Sequence, residues 1–195
     1  MIVLPMPLDE SSINQIAIQA KQLLEPLGNR WLHVQAVAEK ARHICVAFDL
    51  DDGLHLLAAA YLHDIGYAPV LKKTGFHPLD GAYYIRTLGY ERLASLVAHH
   101  SEARFEARLR GLELLLGEFI RERSAVADAL TYCDLTTSPM GNPVSLKERA
   151  TEVFVRYGEE AIVSQAPRQA LPYVSLAIAR TQRRLRLRGV PPETS

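Results

Sequence analysis

The chain has 195 residues, enough for one domain with a substantial hydrophobic core. Hydrophobic residues make up 48% and charged residues 23%, the balance of a folded globular protein rather than a disordered one. Basic and acidic residues number 22 each, so the net charge of +0 gives no bulk attraction to a nucleic-acid backbone and leaves only a local basic patch as a route to phosphate.

The opening MIVLPMPLDE lacks the basic start and sustained apolar stretch of a signal peptide, and no apolar run is long enough to cross a bilayer. The expected location is therefore cytoplasmic, with no membrane partner. Ser12 followed by Gln15 reads as a capping box for a first helix, with Ile13, Ile16, Ile18, Leu23 and Leu24 as its apolar stripe up to Gly28. A second helix is expected over 31–48, with Val34, Val37, Ala41, Ile44 and Phe48 facing inward. Asp51 or Asp52 would cap a third, whose LHLLAAAYLH is almost continuously apolar and so buried on most sides, with Gly66 ending it. A connection containing Pro69, Lys72, Lys73 and Gly75 leads to His77 and Pro78, which open a short helix through Leu88.

Gly89 separates that helix from the next, over 91–100. Helical segments follow at about 102–109, 112–119 and 121–135. The stripe at 112–116 serves either a core or a homodimer interface. Pro139, Gly141 and Pro143 break the chain; Ser145 with Glu148 makes another capping box, before a helix ending near Tyr157. A short helix at 159–165 and a last helix beginning at Pro172 and carrying Arg183, Arg184, Arg186 and Arg188 complete the reading. That arginine run lacks aromatic interleaving, so a solvated helix end explains it more simply than nucleic-acid binding does. No strand alternation appears, and the expected fold is all-α. Cys45 and Cys133 form no CxxC unit and are expected as free thiols.

Seven histidines stand at positions 33, 43, 55, 63, 77, 99 and 100. His63 and Asp64 close the most apolar helix, and an ionised Asp in such surroundings is costly unless a cation or several donors compensate it. Neighbouring helical positions diverge by about 100°, so the two side chains reach one ion only where the helix unwinds, an opportunity Gly66 offers. His33 lies near a helix start, His77 at a helix N-terminus, the His99 and His100 pair at a helix end, and Asp134 within the apolar LTYCDL. Imidazoles with carboxylates favour a transition metal over calcium. His43 and His55 read as packing or surface residues, with His55 a candidate for an outer hydrogen bond.

The order His33, His63-Asp64, Asp134 resembles the H…HD…D signature of the HD superfamily of helical metal-dependent phosphohydrolases. The words NRWLHVQAVAEKA, AAAYLHDIGYAP, HPLDGA, LVAHHSEARFEA and ALTYCDLTTSPMG carry the resemblance. It implies an all-α helical bundle with a metal-binding core at 30–142; the helix pattern adds an N-terminal helical extension at 1–29 and C-terminal helices at 143–189, and the VPPETS composition a flexible tail at 190–195. The resemblance further implies that His33, His63, Asp64 and Asp134 bind one metal, and the additional histidines resemble the binuclear branch. There Asp64 would bridge two ions, with His77 and His100 on the second, and His99 the alternative to His100. The implied cofactor is two divalent ions, Mn or Fe ahead of Ni, Zn or Mg.

Regulators of the HD-GYP type carry a Gly-Tyr-Pro ending after their paired His and a Lys after HDIG. This chain has neither, and Tyr67 stands in the second place. The implied reaction is hydrolysis of a phosphate ester or anhydride of a small molecule, a nucleotide among the candidates, with Asp64 at the catalytic ions and Lys72 on the phosphate. An iron-dependent oxygenase of the diiron offshoot and a non-catalytic metal- or nucleotide-binding regulator remain the alternatives. Arg104, Arg108, Glu102 and Glu106 are nearby charges expected to be either site groups or helix surface.

Overall fold

Asp9, not Ser12, opens the first helix. Its backbone is extended, and its carboxylate accepts from the Ser12 backbone N–H at 2.7 Å, while the Ser12 hydroxyl donates to the same oxygen and so cannot serve as the cap. The computed structural model describes residues 8–157 and 162–191. Helix α1 spans Glu10–Leu24 and α2 spans Asn29–Ile44, joined by a 3₁₀ turn and by Gly28 at φ +59°. The third helix, α3 over Leu50–Leu62, is capped by Asp49 through the Asp52 N–H rather than by Asp51 or Asp52. The difference is local: the side chain that lies outside the first turn meets the unpaired N–H groups, and those within it point along the helix surface.

Helix α3 is the axis of the core, as its apolar run requires. Leu56, Ala58, Ala59, Ala60 and Leu62 are fully buried, and α1, α2, α5 and α8 pack around them. Helix α4 covers His77–Thr87 with Pro78 in its first turn, and α5 covers Glu91–His99. Shorter pieces, α6 over Arg104–Leu109 and the single turn α7 over Glu113–Leu116, precede α8 over Ala125–Leu135, which is capped by Ser124. Within α7, Leu116 is buried and Leu114 is exposed.

Helix α9 spans Leu146–Tyr157, and both bonds of the Ser145 and Glu148 box are made, at 2.7 and 3.2 Å. The final helix corrects the sequence reading. Pro172 does not begin it: α10 runs from Ile162 to Leu187 with Pro167 and Pro172 inside. Each proline removes one backbone bond, while Ala166, Ala170 and Val174 pack on Phe105 in a second apolar cluster that holds the segment helical across them. Of the short helix expected at 159–165, positions 159–161 lie outside the described residues, as do 192–195 of the expected tail.

No strand occurs among the described residues, only an isolated bridge between Thr137 and Pro143. No described helix is long and apolar enough to cross a membrane. Neither Cys45 nor Cys133 is in a disulfide.

Candidate metal centre

Four helix ends bring the His and Asp side chains together. His33 comes from the first turns of α2, His63 and Asp64 from the end of α3, His77 from the start of α4, and Asp134 from the last turn of α8. His63 retains helical backbone, but Asp64 has left it at φ −102°, ψ 6°, which lets two consecutive side chains approach one point. Gly66 sets the next contact. The turn at Ile65–Tyr67 lies so close to α4 that a Cβ on Gly66 would stand 2.0 Å from the His77 carbonyl oxygen.

His99 and His100 are separated by the end of α5. His100 turns to extended backbone at ψ 148°, and Ser101 and Glu102 follow in the left-handed region at φ 48° and 60°. Non-glycine residues enter that region at a cost of about 1–2 kcal/mol each. The strained turn carries the His100 ring to the centre and lets the Ser101 hydroxyl donate to Asp134. His99 faces elsewhere, its Nε2–H donating to the Phe119 carbonyl at 2.9 Å.

The imidazoles are oriented by backbone carbonyls. Nδ1–H of His33 donates to Ser138 O at 3.0 Å, that of His63 to Ala60 O at 2.8 Å, and that of His100 to Val97 O at 2.6 Å. A carbonyl only accepts, so in neutral His63 and His100 the proton sits on Nδ1 and Nε2 presents a lone pair inward; burial would lower His33, but its Nε2 bond to Asp134 pushes it up. His33 Nε2 lies 3.4 Å from His63 Nε2. Metal-bound histidines are oriented by such outer carbonyls, and the ring nitrogens left facing inward converge with two carboxylates. The donor set fits a metal on this ground.

Asp64 is the junction. One oxygen, Oδ1, is 3.4 Å from His77 Nε2; the other, Oδ2, is 3.5 Å from His63 Nε2 and 3.9 Å from His33 Nε2. His77 Nε2 also lies 3.3 Å from His100 Nε2. Two donor groups capable of holding an ion result, His33 with His63 and Asp64, and His77 with His100 and Asp64, sharing the one carboxylate. Asp134 stands beside the first, its Oδ1 3.1 Å from His33 Nε2. Burial alone would raise the Asp64 carboxyl, but His63, Arg30, His77 and His33 together hold it well below the usual carboxylate range. Burial is likewise overcome at Asp134, chiefly by the His33 bond. Burial pushes His63 and His77 below the ordinary imidazole range.

Arg30 is the residue that sequence reasoning missed. It stands three positions, about one helical turn, before His33 on the same face of α2, and that spacing was the available signal. Its guanidinium bonds Asp64 Oδ2 and lies over the Tyr67 ring at 4.0 Å, and Tyr67 in turn stacks on His77 with ring centres 4.1 Å apart. Lys40 was also unforeseen. It is buried, and its Nζ donates to Thr136 O and Oγ1, both at 2.9 Å, which ties α2 to the end of α8.

A cleft of about 200 Å³ opens onto the centre, lined by Arg30, Asp64, His77, His100 and Asp134. Its far wall is apolar, formed by Leu135, Leu146, Leu171 and Val174, with Arg149 among them. Lys72, expected on the phosphate, is exposed at the end of a 3₁₀ turn and does not line this cleft. Arg104 is held by Glu102 and packs over Phe105, Arg108 pairs with Glu113, and Glu106 pairs with Arg110. His43 bonds Pro191 O and His55 bonds Asp51 O, both away from the centre.

The model of the HD domain matches residues 30–136, more than half of the chain and every residue of the His/Asp array. This chain belongs to the HD domain family, the class of helical metal-dependent phosphohydrolases that its fold and donor array define. Comparison with curated proteins and with solved structures gave no match.

Proposed function

We propose that this chain hydrolyses a phosphate ester or anhydride of a small molecule, with a nucleotide the first substrate to test. Two divalent ions, Mn or Fe, would be held by His33, His63, Asp64 and Asp134 on one side and by His77, His100 and the other oxygen of Asp64 on the second. The observation that carries this reading is the Asp64 carboxylate, whose two oxygens face different imidazole pairs. When bound, such ions activate water and neutralise phosphoryl oxygens.

The remaining work falls to the chain itself. Arg30 is positioned on the Tyr67 face at the mouth of the centre and supplies positive charge to a phosphoryl oxygen. The Ala60 and Val97 carbonyls hold His63 and His100 in the tautomer that leaves Nε2 without a proton, and the Ser138 carbonyl orients His33. Leu135, Leu146, Leu171 and Val174 receive the organic part of the substrate and exclude water from it.

The test is metal analysis of protein isolated without chelator, paired with turnover of aryl phosphate mono- and diesters and of nucleotides. Asp64→Asn is expected to lose both bound ions and activity together. Native protein that takes up no divalent metal after reconstitution with Mn and with Fe would reject the reading, as would unchanged turnover by Asp64→Asn.

A further inference from the structure

A second concavity, of about 910 Å³, shares only His100 and Glu102 with the cleft at the metal centre. It is formed by the end of α5, the segment leading into α8, the N-terminus of α8 and one face of α10. Its charge is lopsided: seven arginines and no lysine line it, against three acidic residues. Those acids are already engaged. Glu102 holds Arg104 and Arg121 at 2.7 and 2.5 Å, Asp128 holds Arg180 through both oxygens at 2.6 Å, and Glu122 is taken by Arg92 from outside the groove. Arg123, Arg183 and Arg188 are exposed and make no ion pair among the described residues. The arginine run at the chain's end, which by sequence is a solvated helix end, is therefore one wall of a basin whose other arginines come from distant segments.

Two further features face the same space. Helix α8 begins there, with Ser124, Ala125 and Ala127 on the lining, so its positive dipole end adds to the arginines. His99 lines the groove too; its Nε2–H is spent on Phe119, and its Nδ1 is buried with no hydrogen-bond partner.

We propose that this groove is a second ligand site, separate from the metal centre, that binds the phosphate chain of a small polyphosphorylated molecule of the nucleoside polyphosphate type. Its volume falls within the roughly 300–1,000 Å³ of small-molecule sites. Guanidinium forks match phosphate oxygens in pairs, which suits an all-arginine lining. A nucleic acid fits less well: the chain's net charge is +0, and Tyr173, the one Phe, Tyr or Trp among the described lining residues, is already engaged by Phe105 and Arg104.

The experiment is calorimetric titration of the full-length, metal-free protein with inorganic tripolyphosphate and with ADP, in the native chain, in Asp64→Asn and in an Arg123→Ser, Arg183→Ser, Arg188→Ser triple variant. Both probes are expected to bind once per chain, to bind Asp64→Asn equally well, and to bind the triple variant about tenfold more weakly or worse. Thermal melting, expected to be unchanged because all three side chains are exposed, shows that the triple variant is folded. Absence of tripolyphosphate binding, equal binding by the triple variant, or loss of binding in Asp64→Asn would each overturn the proposal. So would tighter binding of single-stranded RNA than of tripolyphosphate through the same arginines. The site stands on the groove alone, so its failure would leave the metal-centre reading intact.

Discussion

Replacing Gly66 by alanine tests how His77 is brought to the centre. The added Cβ would meet backbone on every side: His77 O at 2.0 Å, Gly81 N at 2.6 Å and His77 C at 2.8 Å. Ordinary contact begins at 3.4 Å, so the turn and the first turn of α4 must part by roughly 1.4 Å (3.4 less 2.0). No side chain can swing aside to absorb that. Overpacking a rigid site costs about 1–3 kcal/mol, and an obstacle made of backbone belongs at the upper end.

The same displacement acts on the site, because His77 Nε2 lies only 3.4 Å from Asp64 Oδ1 and 3.3 Å from His100 Nε2. Gly66→Ala is therefore expected to lose about 3 kcal/mol in urea denaturation of the metal-free protein. Its affinity for the ion on the His77 side should fall by about 10- to 100-fold, with the His33 side retained. Denaturation followed by circular dichroism and metal titration by calorimetry read the two effects separately. A variant with native stability and two undisturbed metal-binding steps would refute the close-approach argument.

Arg30→Met should leave the metal content unchanged and lower kcat/KM by about a hundredfold, as expected for one lost contact to developing phosphoryl charge; steady-state kinetics on any accepted phosphate ester would measure it. Arg92→Ala is expected to cost about 1–2 kcal/mol, since Arg92 bridges Asp51, Asp52 and Glu122 and its side chain is 32% exposed. Partial burial would raise the Glu122 carboxyl, but its bonds with Arg92 and Ser124 bring it below its ordinary 4.5. A depressed carboxyl stabilises the fold above its unfolded value and loses that contribution as the carboxyl protonates. The stability gap between native and Arg92→Ala protein should thus be full at neutral pH and narrow as the pH falls below about 4.5, measured by denaturation at a series of pH values.

Helix identity was largely legible in the sequence because its cause is local. The LHLLAAAYLH run is apolar on every face and became the axis of the core, and Ser145 and Glu148 made the reciprocal cap that their spacing implies. Caps were misplaced by two or three residues, as at Asp9 and Asp49, where competing side chains differ only in which meets the first free N–H. Pro172 was read as a boundary because the backbone cost of proline is local, whereas the packing of Ala166, Ala170 and Val174 on Phe105 that offsets it is not.

The donor residues, too, were visible as letters: His33, His63, Asp64, His77, His100 and Asp134. Their convergence was not. That His100 rather than His99 faces the centre depends on a left-handed turn at Ser101 and Glu102, and that Arg30 bonds Asp64 depends on the packing of α2 against α3. The adjacent His63 and Asp64 reach one point only because the backbone leaves the helix between them. Chain order and helical period specify which side chains share a face of one helix. Which faces meet, which imidazoles converge on one carboxylate and which arginines from separate segments share a groove are settled by the packing of helix on helix across the fold.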